Sequence, residues 1–443
     1  MDSSTQNEDQ LITGFKKTKL GWIPEEWGIH RFDKVFDFKK SYSFSRNDLT
    51  FEEDEGDTFY IHYGDIHSKF DTLILHLHEE NHAEIPLLKQ SSKPEKDLIY
   101  LEEGDLVIAD ASEDYEGVGE CIEIGELTNS KNLIAGLHTI VARDKNGKTA
   151  DRYRAYILKN WPVAKELKKI ATGISVFGIS KGNLSKLRIP LPSLPEQKKI
   201  ADILSTWDRA IETLDRLIAK KEELKKGLMQ QLLTGKKQFP GFEGEWREVR
   251  FKDVVKIDAK SLNSKTSPDY EFEYISLSDV ENGHISNDLE VYEFKDAPSR
   301  AKRIVSEGDI LMATVRPNLQ AFAMAKKEHN GKIASTGFAV LTPKKNFNIR
   351  YLYHYLYSHH ISGQFYALTV GSNYPAINSS DVKKLKIRLP ADNEEINKIE
   401  SVLTNIDKEI KSLEKNKELL VIQKKGLMQQ LLTGKTRVKV EKN

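Results

Sequence analysis

Apolar residues recur along one stretch of this chain at intervals of four and three: Ile200, Leu204, Trp207, Ile211, Leu214 and Ile218. Lys and Glu dominate the positions between them, so the stripe predicts an amphipathic helix that meets another helix. The pattern returns at Ile399, Leu403, Ile406, Ile410, Leu413 and Leu420. Elsewhere the apolar runs are short and end in turn residues: "LVIAD", "TIVAR" and "RIPLP" before the first stripe, "YEFEYISL", "ILMATV" and "FAVLTP" between the two. Those runs predict strands. Ser193 and Pro195 stand where a helix cap and first turn belong, Glu196 suits the positive helix end, and Gly235 follows "QQLLT" as a stop. Residues 195–233 then predict about 57 Å of helix at 1.5 Å per residue. A helix of that length with an apolar stripe needs a partner, and the other striped helix is the obvious one.

The two halves are copies. "KKGLMQQLLTGK" occurs at 225–236 and again, unchanged, at 424–435. Walking outward, the match persists as pattern. "LRIPLP" at Leu187 answers "LKIRLP" at Leu385, "EGDLVIA" at Glu103 answers "EGDILMA" at Glu307, and "YIHYGDI" at Tyr60 answers "YISLSDV" at Tyr274. Each copy also opens on a Trp segment, "GWIPEEWGIHRF" and "GFEGEWREVRF". Gly227 and Gly426 lie inside the helices at a cost of about 1 kcal/mol each relative to Ala, which argues for close packing or a kink there.

Bulk properties exclude more than they assert. The chain has 443 residues, formal net charge zero and a single cysteine, Cys121, which rules out an internal disulfide and a cysteine metal cage. It starts without a signal-like segment and has no long apolar run, so a cytoplasmic location is expected. Charge is uneven: residues 1–194 carry a net −8. That acidity counts against a simple basic DNA-binding domain.

Catalytic and cofactor motifs do not emerge. "TGKT" at Thr433 ends like a phosphate-binding loop, but Gln429 stands where that loop needs Gly. No G-x-G-x-x-G follows a strand, and "HLHEENH" at 76–82 is the nearest approach to a metal site. "SDVENGHIS" lacks the carboxylates of a calcium loop. The invariant parts therefore read as scaffold and the divergent parts as readers.

The segment "IPLPSLPEQKKIADILSTWDRAIETLDRLIAKKEELKKGLMQQLLTGK" from Ile189, with its degenerate repeat from Ile387, resembles the conserved helical region of the specificity subunits of type I restriction-modification enzymes. The second copy departs from it at "LPADNEEINKI", where the "LPxLPEQ" entry is lost. The resemblance implies an α+β chain with two mixed, β-rich target recognition domains separated by two long antiparallel coiled-coil helices. The boundaries are then 1–194 and 238–392 for the domains, 195–237 and 393–435 for the helices, and 436–443 for a tail. It implies a non-catalytic protein that binds double-stranded DNA with a split target, one half per domain, its helices setting the gap. It also implies docking of two modification (adenine methyltransferase) subunits and association with restriction (motor-nuclease) subunits. S-adenosylmethionine, ATP and Mg are expected on those partners, with no cofactor or metal in this chain. On the residues alone, a coiled-coil adaptor with protein-binding modules and a Mg²⁺-dependent nuclease stay open as alternatives.

Side chains that read DNA belong on loops that differ between the copies while the flanking strands agree. In the first copy these supply Lys39, Lys40, Ser43, Arg46, His67, Ser112, Tyr115, Ser175 and Phe177. In the second they supply Lys260, Asn263, Lys265, Arg316, Asn318, Asn373 and Tyr374. Arg316 leads, because an Arg-Pro-Asn turn after a buried strand presents a guanidinium on a stiff loop. Helix packing and partner docking are expected at Trp207, Ile211, Leu214, Gly227 and Leu228, and at Ile406, Ile410, Leu413, Gly426 and Leu427.

Overall fold

The computed structural model describes residues 13–70, 72–77, 85–94, 96–127, 132–281, 283–369 and 375–440. They divide into two compact units, 1–215 with 415–443, and 216–414. Each helix is therefore shared: its first half belongs to the unit of its own copy and its second half to the other.

In the first unit a five-stranded sheet runs in the order Phe36–Lys39, Thr139–Asp144, Leu106–Ala109, Cys121–Leu127, Ile74–Leu77. A four-stranded sheet runs Asn132–Ala135, Gly56–Ile61, Leu87–Lys89, Leu49–Thr50. The "EGD" strand shows why the fold has two cores. Val107 and Ala109 pack with Phe59, Ile61 and Leu133 between the sheets. Leu106 and Ile108 point the opposite way, onto Phe32, Tyr153 and Leu184. Alternation at period two puts one strand's residues into both layers, so the strand is buried throughout.

The second unit repeats the plan. One sheet runs Val255–Ile257, Phe338–Pro343, Ile310–Ala313, Phe322–Met324, and the other Glu290–Glu293, Glu271–Ile275, Ile333–Ser335, Ala301–Ile304. Leu311 and Ala313 face Ile275 and Ala334, while Ile310 and Met312 face Phe251, Tyr351 and Val382.

Both long helices have 39 residues, Leu194–Leu232 and Asn393–Leu431. Ile200 and Leu204 enter the first unit's core together with Leu431 and Leu432. Ile399 and Leu403 enter the second unit's core together with Leu232 and Leu233. The repeated dodecamer thus closes, in each case, the core built by the other copy. Two units of the same plan offer the same cup, and one sequence fills both. Gly235 and Gly434, at φ +73° and +71°, make the left-handed stop that ends each helix.

Along the helices the pairing is antiparallel within each unit. In the first, Asp208 meets Lys424 and Asp215 meets Lys417. In the second, Asp407 meets Lys225 and Glu409 meets Lys221, both at 2.6 Å. Asp208 and Asp407 are equivalent in the repeat, as are Lys225 and Lys424, so one bridge is made twice with the copies exchanged. Ile406 and Ile410 are buried; Trp207, Ile211, Leu214, Leu228, Leu413 and Leu427 are half-buried. Gly227 and Gly426 depart from expectation. A Cβ at either would meet nothing within 4 Å, so close packing inside the chain does not require them.

Candidate nucleic-acid interface

The end of the "EGD" strand is where each unit brings two of its divergent loops together. In the first unit the short strand Ala111–Ser112 pairs antiparallel with Phe177–Gly178, bringing segments 65 residues apart side by side. Exposed His67 has its Nε2 3.0 Å from the Ala111 carbonyl and its ring edge-on to Tyr63. Tyr115, 45% exposed, meets Phe177 edge to face at 5.4 Å, and the Lys168 ammonium sits 5.6 Å from the Tyr115 ring. Ser175 is exposed on the same loop as Phe177, whereas Ser112 is buried, its hydroxyl accepting from the Asp114 amide. Lys39 joins this edge through its carbonyl, which accepts from Lys181 Nζ. Exposed Lys40 lies over the Tyr42 ring, and Ser43 and Arg46 are exposed on the chain leading into the four-stranded sheet.

In the second unit Val315 bridges to Ala376, the counterpart of the Ala111–Gly178 pairing. Arg316 is exposed, left-handed at φ 49°, ψ 55°, and its amide donates to the Pro375 carbonyl at 2.7 Å. It caps the turn Pro317–Leu319, on which Asn318 is exposed; Gln320 closes that turn, also left-handed. Non-glycine residues at both ends of a turn in this conformation store backbone strain, a condition concentrated at binding sites. Lys260, Asn263 and Lys265 are exposed on the loop after Val255–Ile257; Lys260 Nζ donates to Ser306, and the Asn263 side chain accepts from the Lys265 amide. Asn373 and Tyr374 lie outside the described residues.

Several residues beside these loops are not singled out by loop divergence. His138, left-handed at φ 57°, has its Nδ1 3.1 Å from Asp110, and Tyr63 packs edge-on to the His138 ring. Arg300, Arg303 and Asn378 stand around the base of the Arg316 loop. They sit on or beside strands and a cap, where a loop-based reading does not look.

Three strongly shifted groups lie in the cores. Burial pushes the Cys121 thiol up to about 12. It also raises Glu123, which accepts from Arg154 and from the amides of Arg152 and Ala155. His354 falls to about 4 by burial. Among the described residues no group of three or more His, Cys, Asp or Glu is placed to hold a metal. Within "HLHEENH", His76 accepts from the Glu126 amide, and 78–82 lie outside the described residues.

Two modules with one backbone frame and different loop chemistry, joined by helices that complete each other's cores, define a recognition scaffold. The family model for the type I restriction modification DNA specificity domain matches residues 24–225 and 243–421, and the chain belongs to that family. It is a non-catalytic DNA sequence-recognition protein. A Methanocaldococcus jannaschii protein named as the MjaX type I restriction enzyme specificity subunit is 28% identical, over 96% of this chain and 97% of that one. The MjaVIII specificity subunit of the same organism is 27% identical over 71% of this chain and 77% of that one. The crystal structure of the S subunit from M. genitalium shares the fold at a TM-score of 0.56 and 16% identity, covering 91% of this chain and 96% of that one.

Proposed function

We propose that the chain reads a bipartite DNA target, one half-site per unit, as the specificity subunit of a type I complex. Arg316 and its neighbours serve one half; the cluster around His67, Tyr115 and Phe177 serves the other. The carrying observation is that matched loops over a common frame differ in chemistry, while the dodecamer that closes both cores does not. The helices dock two modification subunits. Leu217 and Leu224 on one helix and Leu419, Val421 and Ile422 on the other are exposed apolar side chains, the kind of surface a partner covers. S-adenosylmethionine, ATP and Mg belong to those modification subunits and to the restriction subunits that join them, and the complex works in the cytoplasm. Among the described residues no helix is long and apolar enough to cross a membrane.

Methylome sequencing of a host given this chain and its modification partner tests the reading. The expected result is adenine methylation in one motif of two fixed blocks separated by a fixed gap. A contiguous motif, or methylation independent of this chain, overturns it.

A further inference from the structure

Matching the two units through their backbone hydrogen bonds identifies a place where the frame is the same and the side chains differ. In the first unit the Asp110 amide donates to His138 and its carbonyl accepts from Ile179, at 3.0 and 2.8 Å. In the second the Thr314 amide donates to Gly337 and its carbonyl accepts from Ile377, at 2.8 and 2.9 Å. Strand register puts Lys39 at the position of Asp258, since Phe38 pairs with Ala142 as Ile257 pairs with Leu341. Leu101 and Val305 make equivalent bonds, to Leu133 and Lys332, so two residues back Ile99 stands at the position of Arg303. The caps Ser180 and Asn378 correspond as well. Lys39, Ile99, Asp110, His138 and Ser180 in one unit thus correspond in position to Asp258, Arg303, Thr314, Gly337 and Asn378 in the other.

That pattern discriminates between two kinds of DNA contact. A phosphate contact has no reason to change between half-sites, because the backbone is the same under any sequence; a contact to a base edge must change. Replacement of all five over a retained frame is what base reading requires.

The second unit's chemistry points to a base. Where the first unit carries the Asp110–His138 pair, the second has Thr314 and Gly337, beside a recess of about 350 Å³. Its floor is buried at Thr314 and Phe338, and Arg300 and Thr336 are exposed. Arg303 is held from below: Nη2 is 3.0 Å from Asp258, which also accepts from Ser379, and Nη1 donates to Ser261. Its Nε is buried with no hydrogen-bond partner among the described residues. The Arg300 side chain makes no hydrogen bond or ion pair among the described residues. Asn378 uses its carbonyl oxygen to cap the helix Ser379–Lys384, which leaves its amide to donate. The recess is therefore rich in donors and poor in free acceptors.

We propose that this recess is a base-reading site of the second unit and takes the acceptor edge, O6 and N7, of a guanine. Arg300 supplies the fork and the recess's uncompensated positive charge, and Arg303, held by Asp258 and Ser261, lines the recess beside it. This rests on the chain reading DNA as proposed above.

The test is the methylome of the intact complex carrying Arg300→Gln or Arg303→Lys. Arg300 is exposed and its side chain has no partner among the described residues, so Arg300→Gln is expected to leave folding intact; Arg303→Lys keeps a charge opposite Asp258 but loses the second bond, to Ser261. Both variants are expected to relax one G·C position in one half-site, lowering discrimination there roughly ten- to a hundredfold, with the other half unchanged. Wild-type half-sites without a G·C pair, an unchanged motif in both variants, or a uniform fall at every target overturn the proposal while leaving two-part reading in place. Absence of any bipartite motif from the wild type overturns that reading itself, and the proposal with it.

Discussion

Alanine in place of Arg316 would carry the same left-handed backbone cost, so Arg316→Ala isolates the side chain. Binding titrations with the two half-sites varied separately are expected to show a loss of about 1–3 kcal/mol confined to one half. Equal loss on every sequence would make Arg316 a phosphate contact. A second residue sets a pH response. His354 is buried against the second long helix, Nε2 3.0 Å from Thr404 and Nδ1 3.7 Å from Asp407, with Lys225, Glu400 and Arg350 nearby. Burial lowers it to about 4 from 6.5. The unfolded chain then takes up a proton below 6.5 that the folded chain refuses until about 4, so stability falls as pH drops through that window. Urea unfolding at pH 7.5 and pH 5 is expected to show about 1–2 kcal/mol lost at the lower pH, and His354→Gln is expected to flatten the difference. Arg316 is legible in the sequence because its motif is local. The places of His138 and Arg303 beside these loops are not, since strand pairing between distant segments brings them there, and a lone His or a strand Arg carries no spacing signal.

At the scale of elements, the stripe states both helices and their ends to within a few residues, because 3.6-residue periodicity, Ser193 and Gly235 are local signals. The stripe does not tell which core the helix end closes. Leu232 and Leu233 look like the end of the first copy's own element, yet they pack in the second unit with Ile399 and Leu403. A repeat shows that two surfaces are alike and leaves open which meets which. Gly227 and Gly426 carry the same lesson, since their recurrence in both copies suggested packing and the space around them is open. Gly227→Ala and Gly426→Ala are therefore expected to raise the stability of the isolated chain by about 1 kcal/mol each, read as a higher midpoint in urea. Under the proposed docking, the same substitutions weaken co-purification with the modification subunit. Unchanged assembly would remove these glycines from the docking surface.

For the whole molecule the sharing of the helices decides how a spacing role for them, which the family resemblance implies, can be tested. Every helix contact within the first unit involves residues up to Asp215 or from Lys415 onward, and every one within the second involves 216–414. Asp215 and Glu414 occupy the same position in the two copies. Four residues inserted after each of them lengthen both helices by about 6 Å while leaving the contacts of each unit, including Asp208–Lys424 and Asp407–Lys225, in register. Insertion in one helix alone would offset the antiparallel stripes and destabilise the chain, so an unpaired insertion serves as the control. If the helices fix the gap between half-sites, about 6 Å corresponds to one or two base pairs at roughly 3.4 Å each. Methylome sequencing with the doubly extended chain is then expected to return the same two blocks separated by a gap longer by one or two pairs. An unchanged gap with full methylation would show that the spacing is set elsewhere, by the loops or by the modification subunits.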